Sequence, residues 1–407
     1  MTAFLTLEQI DVAGKTVLVR TDLNVPMQGG SVTDNTRIVR SLPTLEYLMS
    51  KNAKIVLLSH FGRPKGKFVP SMSMAPLVDE LSEVLGGKEV KFGVDCVGKS
   101  AREAVDGLKN GEILLLENLR FHEEEEAGDD AFAKELASLG DVFINDAFSA
   151  SHRAHASVTG IPKYLPTAAG RLMQQELTVL AEMFGGKESP IGAVIGGSKV
   201  STKLDLLTNL IKTMDVLAIG GAMANTFLAA LGHEVGKSLH EAGMKDTALA
   251  ILKDAKKNGC NLVLPVDLVV APRFEAHAQC RIVDVHAIPA DYTAVDVGPA
   301  SVNAYFDALR DCKIIVWNGP LGAFETSPYD ASTIQLARFV AKTTEKGTIK
   351  SVAGGGDTVS ALTHAGVGHS FSYMSTAGGA FLEWLEGKDL PGVAALATSP
   401  NKKTINA

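Results

Sequence analysis

The chain has 407 residues, which is enough for two domains of ordinary size. Apolar residues make up 46% and charged residues 21%, a composition typical of globular proteins with a buried core. The formal net charge of −7 argues against a general nucleic-acid binder, because such proteins need a positive field over much of one face. A small anionic substrate is compatible with this charge, since a few basic residues can act together in an acidic protein.

Cysteine spacing and the N-terminal sequence indicate the compartment. The four cysteines form no C-x-x-C pair and have no cluster of histidines beside them, which argues against zinc on spacing alone and indicates a reducing compartment. They are Cys96, Cys260, Cys280 and Cys312. The N-terminus lacks the basic segment and apolar run of a signal peptide. No apolar stretch is long enough to span a membrane. We therefore expect a cytoplasmic protein.

Short runs rich in Val, Ile and Leu alternate with longer segments whose apolar residues recur at helical spacing. The predicted strands are Thr16–Arg20, Lys54–Leu58, Glu112–Leu116, Asp141–Ile144, Ile191–Ile195, Asp215–Ile219, Asn261–Leu264, Ala294–Val297, Lys313–Trp317 and Ile349–Ala353. Met74–Leu85 and Ala131–Leu139 are examples of the predicted helices. This alternation predicts an α/β fold with a mostly parallel sheet covered by helices on both faces. In such sheets ligands bind beyond the carboxyl ends of the strands.

A domain boundary is expected near residues 165–190. Leu172–Phe184 has helical spacing, and prolines and glycines lie at both of its ends. This helix could connect two domains rigidly or be one more covering helix, and the pattern does not decide between these alternatives. The acidic run Glu123–Glu126, together with Asp129 and Asp130, predicts a solvated helix start favoured by the helix dipole rather than a metal site.

Polar and basic residues follow each of the first four predicted strands. The segments are Thr21–Pro26, Ser59–Pro64, Glu117–Phe121 and Asn145–Arg153, and Arg37 follows the first of them. Singly, each residue has an ordinary explanation. An arginine at a strand end is usually a surface ion pair, His60 a structural histidine, and Asp22 and Asn24 turn formers. Their recurrence after four strands favours an anion site at one sheet edge, because arginine binds phosphate and carboxylate through two parallel hydrogen bonds.

The strands of the second half end in glycine-rich segments. They are Gly196–Lys199, Gly220–Met223, Asn318–Gly322, Gly354–Thr358 and Ser375–Gly379. One Gly-Gly pair is most simply a tight turn. Recurrence at successive strand ends predicts a nucleotide along the sheet edge, because glycine permits close backbone approach and helix N-termini attract phosphate. If Ser198 begins a helix, Lys199 and Lys203 share one of its faces and reach the same phosphate chain.

Two common nucleotide motifs are absent from the sequence. Gly232–Ser238 approaches a Walker A motif, but it has too few residues between its glycines and follows the predicted helix Met223–Leu231 instead of a strand. No G-x-G-x-x-G fingerprint follows the first strand, which argues against one alternative, an NAD-dependent dehydrogenase. A second alternative is a non-catalytic binding protein for a sugar phosphate. Such a protein has no need of Lys199, Lys203 and the glycine segments.

Eight segments, in order, resemble the motif set of the phosphoglycerate kinase family. They read RTDLNVP, HFGRP, LLENLRF, SASHRAHAS, GGSKVSTK, VWNGPLGAFE, GGGDT and STAGGA. Each motif alone has low specificity, whereas the ordered set extends over essentially the whole chain and is highly specific. The departures are Phe61 for the usual Leu, Leu321 and Ala323 for Met and Val, and Ala377 for Gly. Ala377 restricts the backbone just before the last glycines, and we expect that site still to form if the φ of Ala377 is negative.

The resemblance implies an α/β fold of two doubly wound, Rossmann-like parallel-sheet lobes joined by an interdomain helix and a hinge. The implied segments are a phosphoglycerate-binding lobe at 1–170, the interdomain helix at 171–185, a nucleotide-binding lobe at 186–390, and 391–407 returning to the first lobe. The implied activity is reversible phosphoryl transfer from 1,3-bisphosphoglycerate to MgADP, giving 3-phosphoglycerate and ATP. A cytoplasmic monomer without nucleic-acid or membrane partners, closing about its hinge, is also implied.

The motifs also carry the family's site residues onto this chain. Substrate binding is implied for Asp22, Leu23, Asn24, Arg37, His60, Phe61, Gly62, Arg63, Arg120 and Arg153. Nucleotide binding is implied for Gly197, Ser198, Lys199, Lys203, Gly220, Gly221, Asn318, Glu325, Gly355, Gly356, Asp357 and Thr358, and Asp357 is implied to orient Mg²⁺. The implied catalytic residues are Arg37, Lys203, Gly378 and Gly379. They would stabilise charge on the transferred group, since neither a carboxylate leaving group nor ionised ADP needs a general acid or base.

Overall fold

The computed structural model of the chain describes residues 4–184 and 188–398. Contacts divide these residues into two compact units. The first contains the described residues up to Ala181 and from Asp389 onwards, and the second is Glu182–Lys388. The segments 1–170, 171–185, 186–390 and 391–407 stay predictions, and their residues 1–3, 185–187 and 399–407 lie outside the described ranges. Within those ranges, no helix is long and apolar enough to cross a membrane.

The first unit is built on a six-stranded parallel sheet. Its strands, with those of a small hairpin, are β1 Thr16–Arg20, β2 Met27–Gln28, β3 Ser31–Val32, β4 Lys54–Leu58, β5 Val90–Gly93, β6 Ile113–Leu116, β7 Val142–Asn145 and β8 Thr167–Ala169. The sheet order is β5-β6-β4-β1-β7-β8, while β2 and β3 pair only with each other. The strand β1 pairs with β4 on one side and with β7 on the other. The loops after β1 therefore lie where the chain turns from building one half of the sheet to building the other. Ligand sites of open α/β sheets lie at such a switch point.

Helices cover both faces of this sheet. They are α1 Thr36–Ser50, α2 Leu77–Val84, α3 Gly98–Asp106, α4 Glu123–Ala127, α5 Asp130–Ala137 and α6 Arg171–Phe184. Alternate residues of one strand enter different cores, as the pleat requires. Val17 and Val19 of β1 pack with residues of α1 and α2, whereas Leu18 packs with residues of α3 and α5. Each of these buried aliphatic side chains contributes about 1.5–3 kcal/mol of transfer free energy.

The second unit contains another six-stranded parallel sheet and a smaller antiparallel one. Its strands are β9 Ile191–Ile195, β10 Val216–Ile219, β11 Asn261–Val263, β12 Asp267–Ala271, β13 Arg281–Asp284, β14 Thr293–Val297, β15 Ile314–Asn318, β16 Lys350–Gly354 and β17 Tyr373–Ser375. The parallel order is β11-β10-β9-β15-β16-β17 and the antiparallel order is β13-β12-β14. The predicted strand Ala294–Val297 therefore exists, but it does not join the parallel sheet. It pairs antiparallel with β12 through an irregularity at Val269/Val270.

The helices of the second unit follow its strands. They are α7 Leu204–Thr213, α8 Gly221–Ala230, α9 Lys245–Asn258, α10 Pro299–Leu309, α11 Ala331–Glu345, α12 Gly356–His364 and α13 Gly379–Leu385. A last helix, α14 Pro391–Thr398, belongs to the first unit. In the parallel sheet β9 lies between β10 and β15, which makes the loops after these strands the second switch point. The predicted α/β fold with two doubly wound parallel sheets is confirmed.

Candidate functional site

Polar side chains from the loops after β1, β4, β6 and β7 meet at the carboxyl edge of the first sheet. The carboxylate of Asp22 accepts hydrogen bonds from Arg37 Nη1 of α1, at 2.7 Å, and from the Ser149 hydroxyl. The backbone N–H of Asn24 donates to its other oxygen at 3.0 Å. Burial acts to raise the pKa of Asp22, but attraction to Arg37 and these hydrogen bonds hold it below its usual value. The ionised carboxylate therefore fixes the position of Arg37.

A buried arginine holds His60. Arg20, the last residue of β1, is 0% exposed, and its Nη2 donates to His60 Nδ1 at 3.0 Å. A guanidinium has no acceptor atom, so Nδ1 must accept and the ring proton is on Nε2. Burial and the positive charge of Arg20 lower the pKa of His60 well below its usual value. His60 is therefore a neutral ring with one N–H to donate.

The loops after β1, β4 and β6 are joined through the backbone of the segment Phe61–Gly62. Asn118 Nδ2 donates to Phe61 O at 2.7 Å, and Asn118 Oδ1 accepts from Phe61 N at 3.2 Å. Gly62 N donates to Asn24 Oδ1 at 3.0 Å, while Gly62 O accepts from Arg120 Nη1 at 2.8 Å. Gly62 has a φ of 62°, which glycine adopts without strain. This one loop therefore positions Asn24 and Arg120 together.

The remaining predicted basic residues lie at the same sheet edge or next to it in the chain. Arg120 is 7% exposed and pairs with Glu126 at 3.2 Å between Nε and Oε1. Burial lowers the pKa of Arg120, and the charges of Arg20 and Arg153 lower it further, so the three guanidinium groups are close enough to interact. Arg63 is exposed and follows Gly62 directly in the chain. Leu23, a further predicted site residue, is buried, and its backbone N–H donates to Ser59 Oγ at 3.0 Å.

The acidic run Glu123–Glu126 is not the fully solvated helix start that the sequence predicts. Helix α4 does begin at Glu123, but Glu125 is 0% exposed. Its carboxylate accepts from Ser157 N at 2.9 Å and from Ser157 Oγ at 2.6 Å, and that hydroxyl accepts from Arg20 Nε at 2.9 Å. The physical reason is that the buried charge of Arg20 needs a nearby negative charge, which Glu125 supplies.

Replacing Glu125 with Gln should destabilise the protein strongly, because it leaves Arg20 buried without this compensating charge. We expect the free energy of unfolding, measured by urea denaturation of the full chain, to fall by about 3 kcal/mol. Glu124→Gln is the matched control, since Glu124 is the exposed neighbour on the same helix. It should change the free energy of unfolding by less than about 0.5 kcal/mol. Equal stability of the two variants would contradict this account of Arg20.

A cavity of about 600 Å³ lies in the second unit, a size that suits a small-molecule ligand. Five predicted nucleotide residues line it, namely Gly197, Ser198, Gly221, Glu325 and Asp357. Its other walls include residues outside the glycine-rich segments and the family motifs, among them Asn225, Leu239, Phe274 and Asp296. The one feature of the sequence that could have indicated Phe274 is that it is an aromatic residue in an otherwise polar segment. Its side chain is 61% exposed.

Glycines let the loops of this cavity approach each other closely. A Cβ atom on Gly221, which has a φ of 70°, would lie 2.6 Å from Gly197 O. A Cβ atom on Gly319, with a φ of 99°, would lie 2.3 Å from Gly196 O. Both distances are far below van der Waals contact, so the loops after β9, β10 and β15 pack backbone against backbone only because these positions are glycine. Gly220 precedes α8 directly and is buried against Leu321.

Lys203 lies at the centre of a polar network behind these loops. Its Nζ donates to Gly196 O and to Asn318 Oδ1, both at 2.6 Å. Asn318 Nδ2 donates to Gly354 O at 2.7 Å, and Gly319 N donates to Thr358 Oγ1 at 2.8 Å. Burial lowers the pKa of Lys203 to about 8, although the charge of Asp357 opposes the shift. The network therefore connects the loops after β9, β15 and β16 and contains an amine whose pKa is lowered toward the physiological range.

The condition that Ser198 begins a helix is not met. A single 3₁₀ turn covers Ser201–Lys203, and α7 begins only at Leu204. The segment before it is irregular, and Val200 within it is 0% exposed. Lys199 is exposed on this segment while Lys203 is largely buried, so the two lysines do not share a face of one helix.

Two more glycine segments open into helices at neighbouring strand ends. Gly355, with a φ of 102°, precedes α12, which begins at Gly356 and carries Asp357 in its first turn. Gly378, with a φ of 41°, precedes α13, which begins at Gly379. Since β16 and β17 are paired, both helix starts lie at the same sheet edge. Ala377 is not among the described residues with positive φ, which meets the condition set for it by the sequence.

Comparisons with known proteins place the chain among well-defined relatives. The family model described as phosphoglycerate kinase matches residues 7–388. Phosphoglycerate kinases of Rhizorhabdus wittichii and Allorhizobium ampelinum are 56% and 55% identical, each over 97% of this chain and 99% of the relative. The solved phosphoglycerate kinase of Coxiella burnetii has a TM-score of 0.89 at 39% identity, covering 97% of this chain and 99% of its own. That of Pyrococcus horikoshii has a TM-score of 0.78 at 31% identity, covering 96% and 98%.

Proposed function

The chain belongs to the phosphoglycerate kinase family, and we propose that its two sites divide the two substrates of that family's reaction between them. It is a phosphotransferase of glycolysis, which moves a phosphoryl group reversibly from 1,3-bisphosphoglycerate to ADP and gives 3-phosphoglycerate and ATP. The observation that carries the division is the group of Arg37, His60 and Arg120 at the edge of the first sheet. Such a group suits a small acid that carries both a phosphate and a carboxylate, whereas the cavity of the second unit suits a nucleotide.

The first unit is proposed to bind the three-carbon acid phosphate. Arg37, Arg63, Arg120 and Arg153 supply the charge that its phosphate and carboxylate groups require. His60 donates its Nε2–H, because Arg20 already occupies Nδ1. The ionised carboxylate of Asp22 and the amide of Asn24 accept from the substrate hydroxyl or hold the surrounding loops. Leu23, Phe61 and Gly62 shape the site through their backbone.

The second unit is proposed to bind ADP and ATP. Gly220 and Gly221 border the base, Glu325 the ribose, and Lys199 and Lys203 the phosphate chain. The remaining proposed contacts are Gly197, Ser198, Asn318, Gly355, Gly356 and Thr358. The Asp357 carboxylate fits a Mg²⁺ ion that arrives with the nucleotide, since it is exposed, lines the cavity and is one carboxylate beside the proposed phosphate position. Bound there, the metal ion neutralises charge on the phosphates.

Catalysis in this proposal is positioning and charge stabilisation. The leaving carboxylate and the ionised phosphate oxygen of ADP need no proton transfer, so no acid–base pair is required. Arg37 and Lys203 stabilise the negative charge of the transferred group, and the N–H groups of Gly378 and Gly379 donate to its oxygens. We also propose a cytoplasmic monomer. Closure about a hinge stays a prediction, testable as a smaller radius of gyration in scattering with both ligands present.

The proposed function predicts turnover of 3-phosphoglycerate with MgATP by the purified full chain. The measurement is a coupled assay that reduces the acyl phosphate product and follows the loss of NADH. Omitting 3-phosphoglycerate is the control for ATP hydrolysis. A folded protein that binds nicotinamide nucleotides, or that binds 3-phosphoglycerate without turning it over, would favour the dehydrogenase or the binding protein instead.

Arg37→Ala should lower kcat by about 10²–10³-fold, because it removes a charged donor that acts on the transferred group. Arg63→Ala should mainly raise KM, since Arg63 is proposed only to position the acid. Arg102→Ala is the control: Arg102 donates to Ser138 at 2.6 Å, away from the proposed site, and its loss should leave both constants unchanged. A near-normal kcat in Arg37→Ala would remove this assignment.

Nucleotide affinity should fall as the pH rises above about 8, because Lys203 of the nucleotide-free protein then loses its charge. Since the pKa is lowered in the folded protein, the charged form is fully present well below pH 8 and disappears above it. Isothermal titration with MgATP should show binding that weakens by up to about tenfold between pH 8 and pH 9. Lys203→Gln should bind more weakly at pH 7 and show little change over this range. Identical pH profiles for the two proteins would exclude Lys203 as the titrating group.

A further inference from the structure

A second group of polar side chains lies at the carboxyl edge of the first sheet, beyond its two outermost strands on one side. An oxygen of Asp95, the sulfur of Cys96 and a ring nitrogen of His122 all lie within 4.8 Å of one another. Asp95 and Cys96 are in the loop between β5 and α3, and His122 immediately precedes α4. Because β5 and β6 pair in parallel register, from Val90↔Ile113 to Gly93↔Leu116, the chain leaves both strands side by side.

Hydrogen bonds already hold Asp95 beside the other two residues of the cluster. His122 Nε2 lies 2.8 Å from Asp95 Oδ1, and the backbone N–H of Cys96 donates to the same oxygen at 2.7 Å. The imidazole of His122 packs against the ring of Phe132, with 5.2 Å between ring centroids. Cys96 is 0% exposed, while the side chains of His122 and Asp95 are 28% and 42% exposed. The cluster therefore has a buried sulfur on one side and an opening to solvent on the other.

We propose that this cluster binds a single divalent transition-metal ion, with Zn²⁺ as the best match, through Asp95, Cys96 and His122. Thiolate, imidazole and carboxylate together are a typical zinc ligand set, and three protein ligands leave the fourth position to water. Mg²⁺ and Ca²⁺ are a poor match, because they prefer oxygen ligands alone. Binding is a simple exchange in which the metal–sulfur bond replaces the S–H bond and the proton leaves to solvent.

The geometry needs only small adjustments to accept the ion. Zinc–sulfur and zinc–nitrogen bonds of about 2.3 and 2.0 Å set the edges of a tetrahedron at about 3.3–3.6 Å. The distance of 2.8 Å between His122 and Asp95 must therefore increase by about half an ångström. The Cys96 sulfur, which lies within 4.8 Å of both other ligand atoms, must come to about 3.3–3.6 Å from them. Both loops have solvent on one side, and the side chains that move are short.

Electrostatics at the cluster favours a cation. Two further carboxylates, those of Glu125 and Glu117, are 0% and 6% exposed, and their charges act on the Cys96 sulfur together with that of Asp95. A divalent ion supplies the positive charge that this environment lacks. The spacing of the cysteines argued against zinc, because Cys96 has no histidine near it in the sequence. The pairing of β5 with β6 supplies one.

Cobalt is the probe that tests the proposal, because Co²⁺ replaces Zn²⁺ and bonding to a thiolate produces a near-ultraviolet charge-transfer band. Titration of the full chain should give this band with one equivalent of Co²⁺, and one equivalent of Zn²⁺ should abolish it. Cys96→Ser should remove the band, and Asp95→Asn and His122→Gln should each weaken Co²⁺ binding by at least about tenfold. Cys260→Ser and Cys312→Ser, which alter two other buried free thiols, should leave the band unchanged.

Two outcomes of the cobalt titration would overturn the proposal. Absence of the band at saturating Co²⁺, or its persistence in Cys96→Ser, would show that Cys96 is not a ligand. Should the Cys96 variant fail to fold, X-ray absorption of the zinc-loaded wild-type chain decides the question. One sulfur and three nitrogen or oxygen neighbours are expected, and a zinc coordination sphere without sulfur would refute the site.

Discussion

The buried guanidinium of Arg20 is the interaction on which the site of the first unit depends. A charge at the end of a central strand is costly unless it is paired, and here Glu125 compensates it through Ser157. The same guanidinium donates to His60 and so determines which ring nitrogen carries the proton. The residues proposed to touch substrate thus rely on a charge pair that lies beneath them. This site for an anion in an acidic protein is built around a buried cation whose counter-charge is a buried carboxylate.

The second unit solves a related problem with backbone instead of buried ion pairs. Its loops pack so closely that Gly196 and Gly319 leave no room for side chains. The polar network behind them depends on Lys203, whose ammonium group donates to a carbonyl and to Asn318. Removing that charge from water makes the lysine easier to deprotonate, which is the cost of placing it among the loops. Each unit therefore removes cationic side chains from water to organise its sheet edge.

Much of this arrangement follows from the sequence, because strand ends in parallel sheets are local features. Predicted strands such as Thr16–Arg20 and Ile191–Ile195 coincide with β1 and β9, and the loops after them hold the expected residues. The antiparallel pairing of β14 could not be predicted, since a short apolar run does not reveal its partner. The burial of Glu125 could not be predicted either, because a run of acidic residues reads the same in the sequence whether or not one of them has a buried partner. Arg20 itself left a signal, a charge at the end of an otherwise apolar strand.

The first sheet edge holds two electrostatic environments of opposite sign within a few loops. Burial lowers the pKa of Arg20 and the charge of Glu125 opposes that shift, while the same charge also acts on the Cys96 sulfur. Toward Arg20 this charge is neutralised by a pair, whereas toward Cys96 it adds to the negative charges of Asp95 and Glu117. Because the interior screens charge weakly, an uncompensated excess of this kind is favourable only where a cation can bind or solvent can reach. The exposed edge of the Asp95–His122 pair provides such access, and the buried carboxylate that stabilises the anion site therefore also favours a cation beside it.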